Sequence, residues 1–144
     1  MPMLVSKSSK TKWIDAAIVP IKGDETEYSI SVMKDAVIRM GHAEFIHKSD
    51  QEACLKNLKE TAIKALEGTV EAIPEESPTG ASQANGSIET GVQQIEGLVR
   101  THRDAAEQAQ GIRIEGDSPL IPWLVQWCAF VYNRFSLDVN GRTP

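Results

Sequence analysis

EESPTGASQANGSIE spans residues Glu75–Glu89 and carries no strand or helix rhythm until its last few positions. Pro78, Gly80, Ser82, Asn85 and Gly86 predict a loop that turns before the chain enters a helix. That helix is expected to open with Glu89 in its first turn, where a carboxylate interacts favourably with the positive end of the helix dipole. A loop of small polar residues that delivers one carboxylate suits half of a metal site, provided the chain supplies a partner.

Working outward, the segments alternate in type. Met3–Val5 and Trp13–Ile21 are apolar and β-branched around a polar turn, which reads as a hairpin, with Pro20 at an edge or strand end. Asp24 is an N-cap candidate, with Glu27 three residues on. Ile30, Met33, Val37 and Met40 then recur at helical spacing up to Gly41. AEFIH, residues 43–47, is a strand candidate. Ser49 and Glu52 resemble a capping box for a helix buried through Leu55, Leu58, Ala62 and Leu66. Gly68 closes that helix, and Thr69–Ile73 is a further strand. After the loop, Ile88, Val92, Ile95, Val99, His102 and Ala106 form one helical face, with Glu89, Gln93, Glu96, Arg100 and Arg103 on the wet side. Residues 110–118 read as a linker. Pro119–Phe135 is apolar on nearly every side and is expected to be a largely buried helix, with Trp123, Trp127 and Phe130 in the core. The order predicts an α/β fold, a mixed sheet with helices packed on it.

Composition sets further bounds. A chain of 144 residues, 41% hydrophobic and 24% charged, fits one ordinary globular domain. The N-terminus has too short an apolar start for a secretory signal, and Pro119–Tyr132 is too short for a membrane span. Cys54 and Cys128 are expected to be buried free thiols of an intracellular protein, in nucleus or cytoplasm. On that expectation the glycosylation pattern at Asn85-Gly86-Ser87 goes unused. The formal charge of −5 argues against a general nucleic-acid coat, but not against meeting phosphates through metal ions.

Two carboxylates stand out. Asp50 follows the AEFIH strand at its carboxyl end, where open α/β sheets place their sites. Glu89 begins the later helix. Hard oxygen ligands of this kind suit Mg²⁺. The same acids serve equally as an N-cap and a first-turn acid. Lys48 is either a phosphate contact or a solvated lysine. Arg100 and Arg103 either track a DNA backbone or pair with Glu96 and Glu107. The histidines His42, His47 and His102 form no ligand pattern with the cysteines.

Ser82, Gln83, Asn85, Gly86 and Glu89 resemble the Gln-x-Asn-Gly-x-x-Glu segment of retroviral and retrotransposon integrase cores. HKSDQEA resembles the family's strand-end Ser-Asp segment, which puts Asp50 on the second catalytic Asp. Asn133, Arg134, Gly141, Thr143 and Pro144 match its closing Asn-Arg and Gly-x-Thr-Pro. The resemblance covers most of residues 1–144 and implies a ribonuclease H-like fold, two Mg²⁺ or Mn²⁺ ions, DNA as substrate, and DNA integration by phosphoryl transfer from an Asp-Asp-Glu triad. It implies Asp50 and Glu89 as catalytic metal ligands, supported by the loop residues Gln83, Asn85 and Gly86, and allows a homo-oligomer. Asp15 is too close to Asp50 to be the first Asp. The chain therefore reads as N-terminally truncated, beginning at the family's second strand, and inactive unless another chain completes it. The alternative is a non-catalytic α/β remnant or a domesticated binding module for nucleic acid or protein.

Overall fold

The computed structural model describes residues 2–20, 26–47, 53–74 and 82–144. Its elements run β1 (Met3–Lys7), β2 (Ile14–Ile18), α1 (Glu27–Met40), β3 (Glu44–His47), α2 (Ala53–Lys64), β4 (Glu71–Pro74), α3 (Ser82–Gln110) and α4 (Leu120–Phe135). The mixed α/β order expected from the sequence is present. Pairing is distributed over two two-stranded sheets: β1 and β2 antiparallel, β3 and β4 parallel. The residues fall into two compact units, one of Met3–Ile18 with Ser87–Pro144, the other of Val19–Gly86.

The first unit is organised on the hairpin. β1 and β2 pair in the register Val5↔Ala16. Ile14 and Ala16 alternate onto the inner face, as period two requires. There they meet Ile95 of α3 and Val125 and Ala129 of α4 in one buried cluster. Ile14, Ile95 and Cys128 are essentially inaccessible. The α4 helix is also pinned to β2 by Asn133. Its Oδ1 accepts from the Ile14 N–H (2.9 Å) and its Nδ2 donates to the Ile14 carbonyl (2.7 Å). A buried amide that satisfies both polar groups of one strand residue fixes the helix relative to that strand.

One expectation for α4 fails here. The face that packs inward consists of Leu124, Val125, Cys128, Ala129 and Asn133. Trp123 (60% exposed), Trp127 (40%) and Phe130 (45%) lie outside, as does Phe135 (71%). An apolar composition all round a helix argues for burial only if something covers each face. Here one face of α4 packs on its unit and the aromatic side does not.

In the second unit α1 packs against α2, burying Met33, Ala36 and Val37 of one and Leu58 and Ala62 of the other. The N-cap of α1 is Thr26, whose Oγ1 accepts from the Ser29 N–H (3.3 Å), and not Asp24, which lies outside the described residues. Thr26 sits in extended geometry directly before the first helical residue, where an N-cap belongs. At the other end Gly41 takes the left-handed conformation (φ 68°) that closes a helix. The proposed Ser49–Glu52 capping box lies outside the described residues.

Candidate functional site

The helix that carries Glu89 begins earlier than expected. Helix α3 starts at Ser82 and runs 29 residues, so Gln83, Asn85 and Gly86 are helical rather than part of a loop. Glu89 therefore lies about two turns inside the helix, since 89 − 82 = 7 and a turn takes 3.6 residues. The dipole contact expected for a first-turn acid fades within that turn and does not account for Glu89. Asn and Gly are weak helix formers, Gly by about 1 kcal/mol. Extending a helix that is already nucleated, however, adds a backbone bond per residue without a new nucleation cost. Lys7 also reaches across from β1, and its Nζ donates to the Ser87 carbonyl (3.2 Å). Burial holds the Lys7 pKa below its usual value, and Lys12 adds to the effect.

α3 comes close to the hairpin at Gly91. A Cβ there would stand 3.1 Å from Lys7 Cδ and 3.5 Å from Ile14 Cδ1. One turn on, Ile95 enters the core. These two contacts fix the rotation of α3, and with it the direction of the opposite face. Glu89, Gln93, Glu96 and Arg100 are all exposed on that face. Arg100 is 11 residues from Glu89, close to three whole turns, so the two share a line along the helix about 16 Å apart. Arg103 continues the face but is engaged: its Nε bonds Glu107 Oε1 at 3.0 Å. Glu107 also accepts from the Ile114 N–H (2.8 Å). The Ile114 N–H, followed by Arg103, holds the Glu107 carboxyl below its usual range. Of the two arginines proposed for DNA, Arg100 keeps an exposed side chain and Arg103 is half of a clamp on the segment after α3.

Asp50 and Lys48 lie outside the described residues. Among the described residues no three His, Cys, Asp or Glu side chains gather where they would hold a metal ion. His102 is tied to its own helix, its Nδ1 3.0 Å from the Leu98 carbonyl oxygen. Cys128 is buried, and burial pushes its thiol up to about 11. Sequence reasoning passed over Lys7, Gly91 and the bidentate role of Asn133. Only Asn133 had a signal, its place in the Asn-Arg motif.

The fold resembles one that has been solved elsewhere. The chain is similar to the solved catalytic core domain of BIV integrase: 99% of this chain and 81% of that one superpose with a TM-score of 0.61 at 14% identity. At that identity the likeness concerns the fold. No family model matches the sequence. No curated protein matches it either. Among the described residues no helix is long and apolar enough to cross a membrane.

Proposed function

We propose that this chain is an integrase-type catalytic-core domain of a retrotransposon-like element, which meets DNA through divalent metal held by Asp50 and Glu89. The observation that carries the reading is the fold likeness to an integrase catalytic core along 99% of the chain. Two features add support. Glu89 stands on an exposed helix face with no capping role to explain it, and Arg100 follows it on the same line. Hard carboxylate oxygens suit Mg²⁺ or Mn²⁺, and the metal would supply positive charge toward phosphate that a chain of net −5 lacks. Lys48 and Arg100 would then contact the backbone, which positions DNA without reading its sequence. Asp50 and Glu89 make two carboxylates of a three-carboxylate pattern.

The test is thermal unfolding of the chain during a Mn²⁺ titration, beside Asp50→Asn and Glu89→Gln. A ligand at a hundred times its dissociation constant stabilises by about 2.7 kcal/mol. The expected outcome is a rise in Tm that both variants abolish. A Tm indifferent to Mn²⁺ in all three proteins would sink the metal reading and leave a non-catalytic α/β binding module.

A further inference from the structure

The segment after α4 folds back on itself. The Asp138 carbonyl accepts from the Gly141 N–H (3.0 Å), which makes residues 138–141 a turn, and the Asp138 N–H donates to the Arg142 carbonyl (2.8 Å). The Asp138 side chain clamps the same turn: its Oδ1 accepts from the Asn140 and Arg142 N–H groups, both at 2.8 Å. The Arg142 N–H is the main cause that holds the Asp138 carboxyl below its usual range, so it is ionised at neutral pH. Gly141 takes the left-handed conformation (φ 72°), which glycine adopts without a Cβ clash. Residues 137–143 are all exposed. The bonds of the turn therefore lie in water, and such a segment opens locally while the unit behind it stays folded.

The turn holds an Asn-Gly pair, and we propose that Asn140 is a site of spontaneous deamidation and backbone isomerisation whose rate is set by the Asp138 clamp. When the turn opens, the Gly141 nitrogen loses its bond to Asp138 and, with no Cβ to shield it, reaches Asn140 Cγ. Hydroxide takes the proton from that nitrogen, which then attacks Cγ. The N–Cγ bond forms and the Cγ–Nδ2 bond breaks. The departing nitrogen takes a proton from water and leaves as ammonia, which returns the hydroxide. Water then opens the five-membered imide. Cleavage at Cγ gives aspartate. Cleavage at the Asn140 backbone carbonyl gives isoaspartate, in which the chain runs through the side chain and is one methylene longer. Either product sets a new carboxylate close to Asp138 and adds a negative charge to a chain of net −5. Isoaspartate also lengthens the path from Asp138 to Gly141, so the turn does not close again in its register.

The chain has a second such pair, Asn85-Gly86, and the fold separates the two. Asn85 and Gly86 lie in α3, where a residue's N–H is bonded to the carbonyl four residues back. Reaction there requires unwinding the helix, whereas at Asn140 it requires only the opening of an exposed turn. This inference does not rest on the DNA reading.

The test is incubation of the full chain at mildly alkaline pH, with two readouts. Tryptic mapping follows the exchange of NH₂ for OH, since Asn140 falls in the peptide 135–142 and Asn85 in the peptide 65–100. Methyl uptake with an isoaspartate-specific carboxyl methyltransferase follows the isomerised product. In the folded chain Asn140 should react ahead of Asn85, and Asn140→Gln should remove most of the methyl uptake. In urea the two pairs should react at similar rates. Asp138→Ala should speed reaction at Asn140 about fivefold or more, the factor by which the loss of one hydrogen bond shifts the opening. It should leave Asn85 unchanged. Asp138→Asn keeps an oxygen for both N–H groups and should stay within about twofold of the parent. A folded chain in which Asn140 stays intact while it reacts in urea overturns the inference. So does a folded chain in which Asn85 reacts first, or an Asp138→Ala variant no faster than Asp138→Asn.

Discussion

Asn133→Ala tests how the first unit is held together. The side chain is 4% exposed and makes both of the bonds that satisfy Ile14. Truncation leaves a buried N–H and a buried carbonyl without partners. Each orphaned group costs about 1–3 kcal/mol, with the lower figure applying if water enters the vacated space. A loss of about 3 kcal/mol is expected for the pair. For a chain of this size that corresponds to a fall in Tm of roughly 10 °C. Asn133→Asp separates the two bonds. The carboxylate still accepts from the Ile14 N–H but sets negative charge against the Ile14 carbonyl. Protonated, it donates to that carbonyl and restores the pair, so its pKa in the folded state is expected to rise. A raised pKa means stability present at low pH and lost as pH rises past the ordinary Asp value of about 3.9. The Asp variant should therefore approach the parent on the acid side and fall away toward neutrality, while the Ala variant stays low throughout. Urea unfolding at a series of pH values, with exchange of the Ile14 amide as a local probe, reads both effects. An Asn133→Ala loss below about 1 kcal/mol would refute the reasoning, because it would mean the two bonds do not hold α4 to β2.

Three further outcomes follow from the same packing. Gly91→Leu should destabilise by about 1–3 kcal/mol, since its side chain is driven into Ile14 and Lys7, whereas Gly97→Ala, with open space at its Cβ, should stabilise by up to about 1 kcal/mol; chemical denaturation of both checks it. Glu107 has a lowered pKa in the fold, so its contribution is present above the ordinary carboxylate pKa and is lost as pH falls through the folded value. The Tm gap between the parent and Glu107→Gln should accordingly close on acidification. Cys128, with its thiol at about 11, should resist a disulfide reagent at pH 8 in the folded chain, and should react at ordinary thiol rates once urea exposes it.

What was legible in the sequence was periodicity. The apolar, β-branched run after Trp13 contains β2, and Ile95 keeps the register of α3. The end of α1 at Gly41 was legible from its C-cap, whereas its N-cap, Thr26, is not the residue the sequence singled out. Two things were not legible, for different reasons. The start of α3 was hidden because Asn85 and Gly86 are turn formers by local propensity, and the continuing helix overrides a cost of about 1 kcal/mol. The outward aromatic side of α4 was hidden because an apolar residue's type does not say whether a partner is present. Of the proposed site, Glu89 was named from the motif; it lies exposed, and further inside the helix than expected. Of the two readings open for Arg103, the pairing with Glu107 four residues on is the one present.

The most direct measurement is binding of a fluorescent DNA duplex to the full chain, followed by anisotropy with and without Mn²⁺, beside Glu89→Gln. A chain of net −5 has little general attraction for phosphate. Affinity should therefore appear or rise sharply with Mn²⁺, and the rise should be lost in Glu89→Gln. Binding that is the same with and without Mn²⁺ and unchanged in Glu89→Gln would contradict an integrase-type site at this residue.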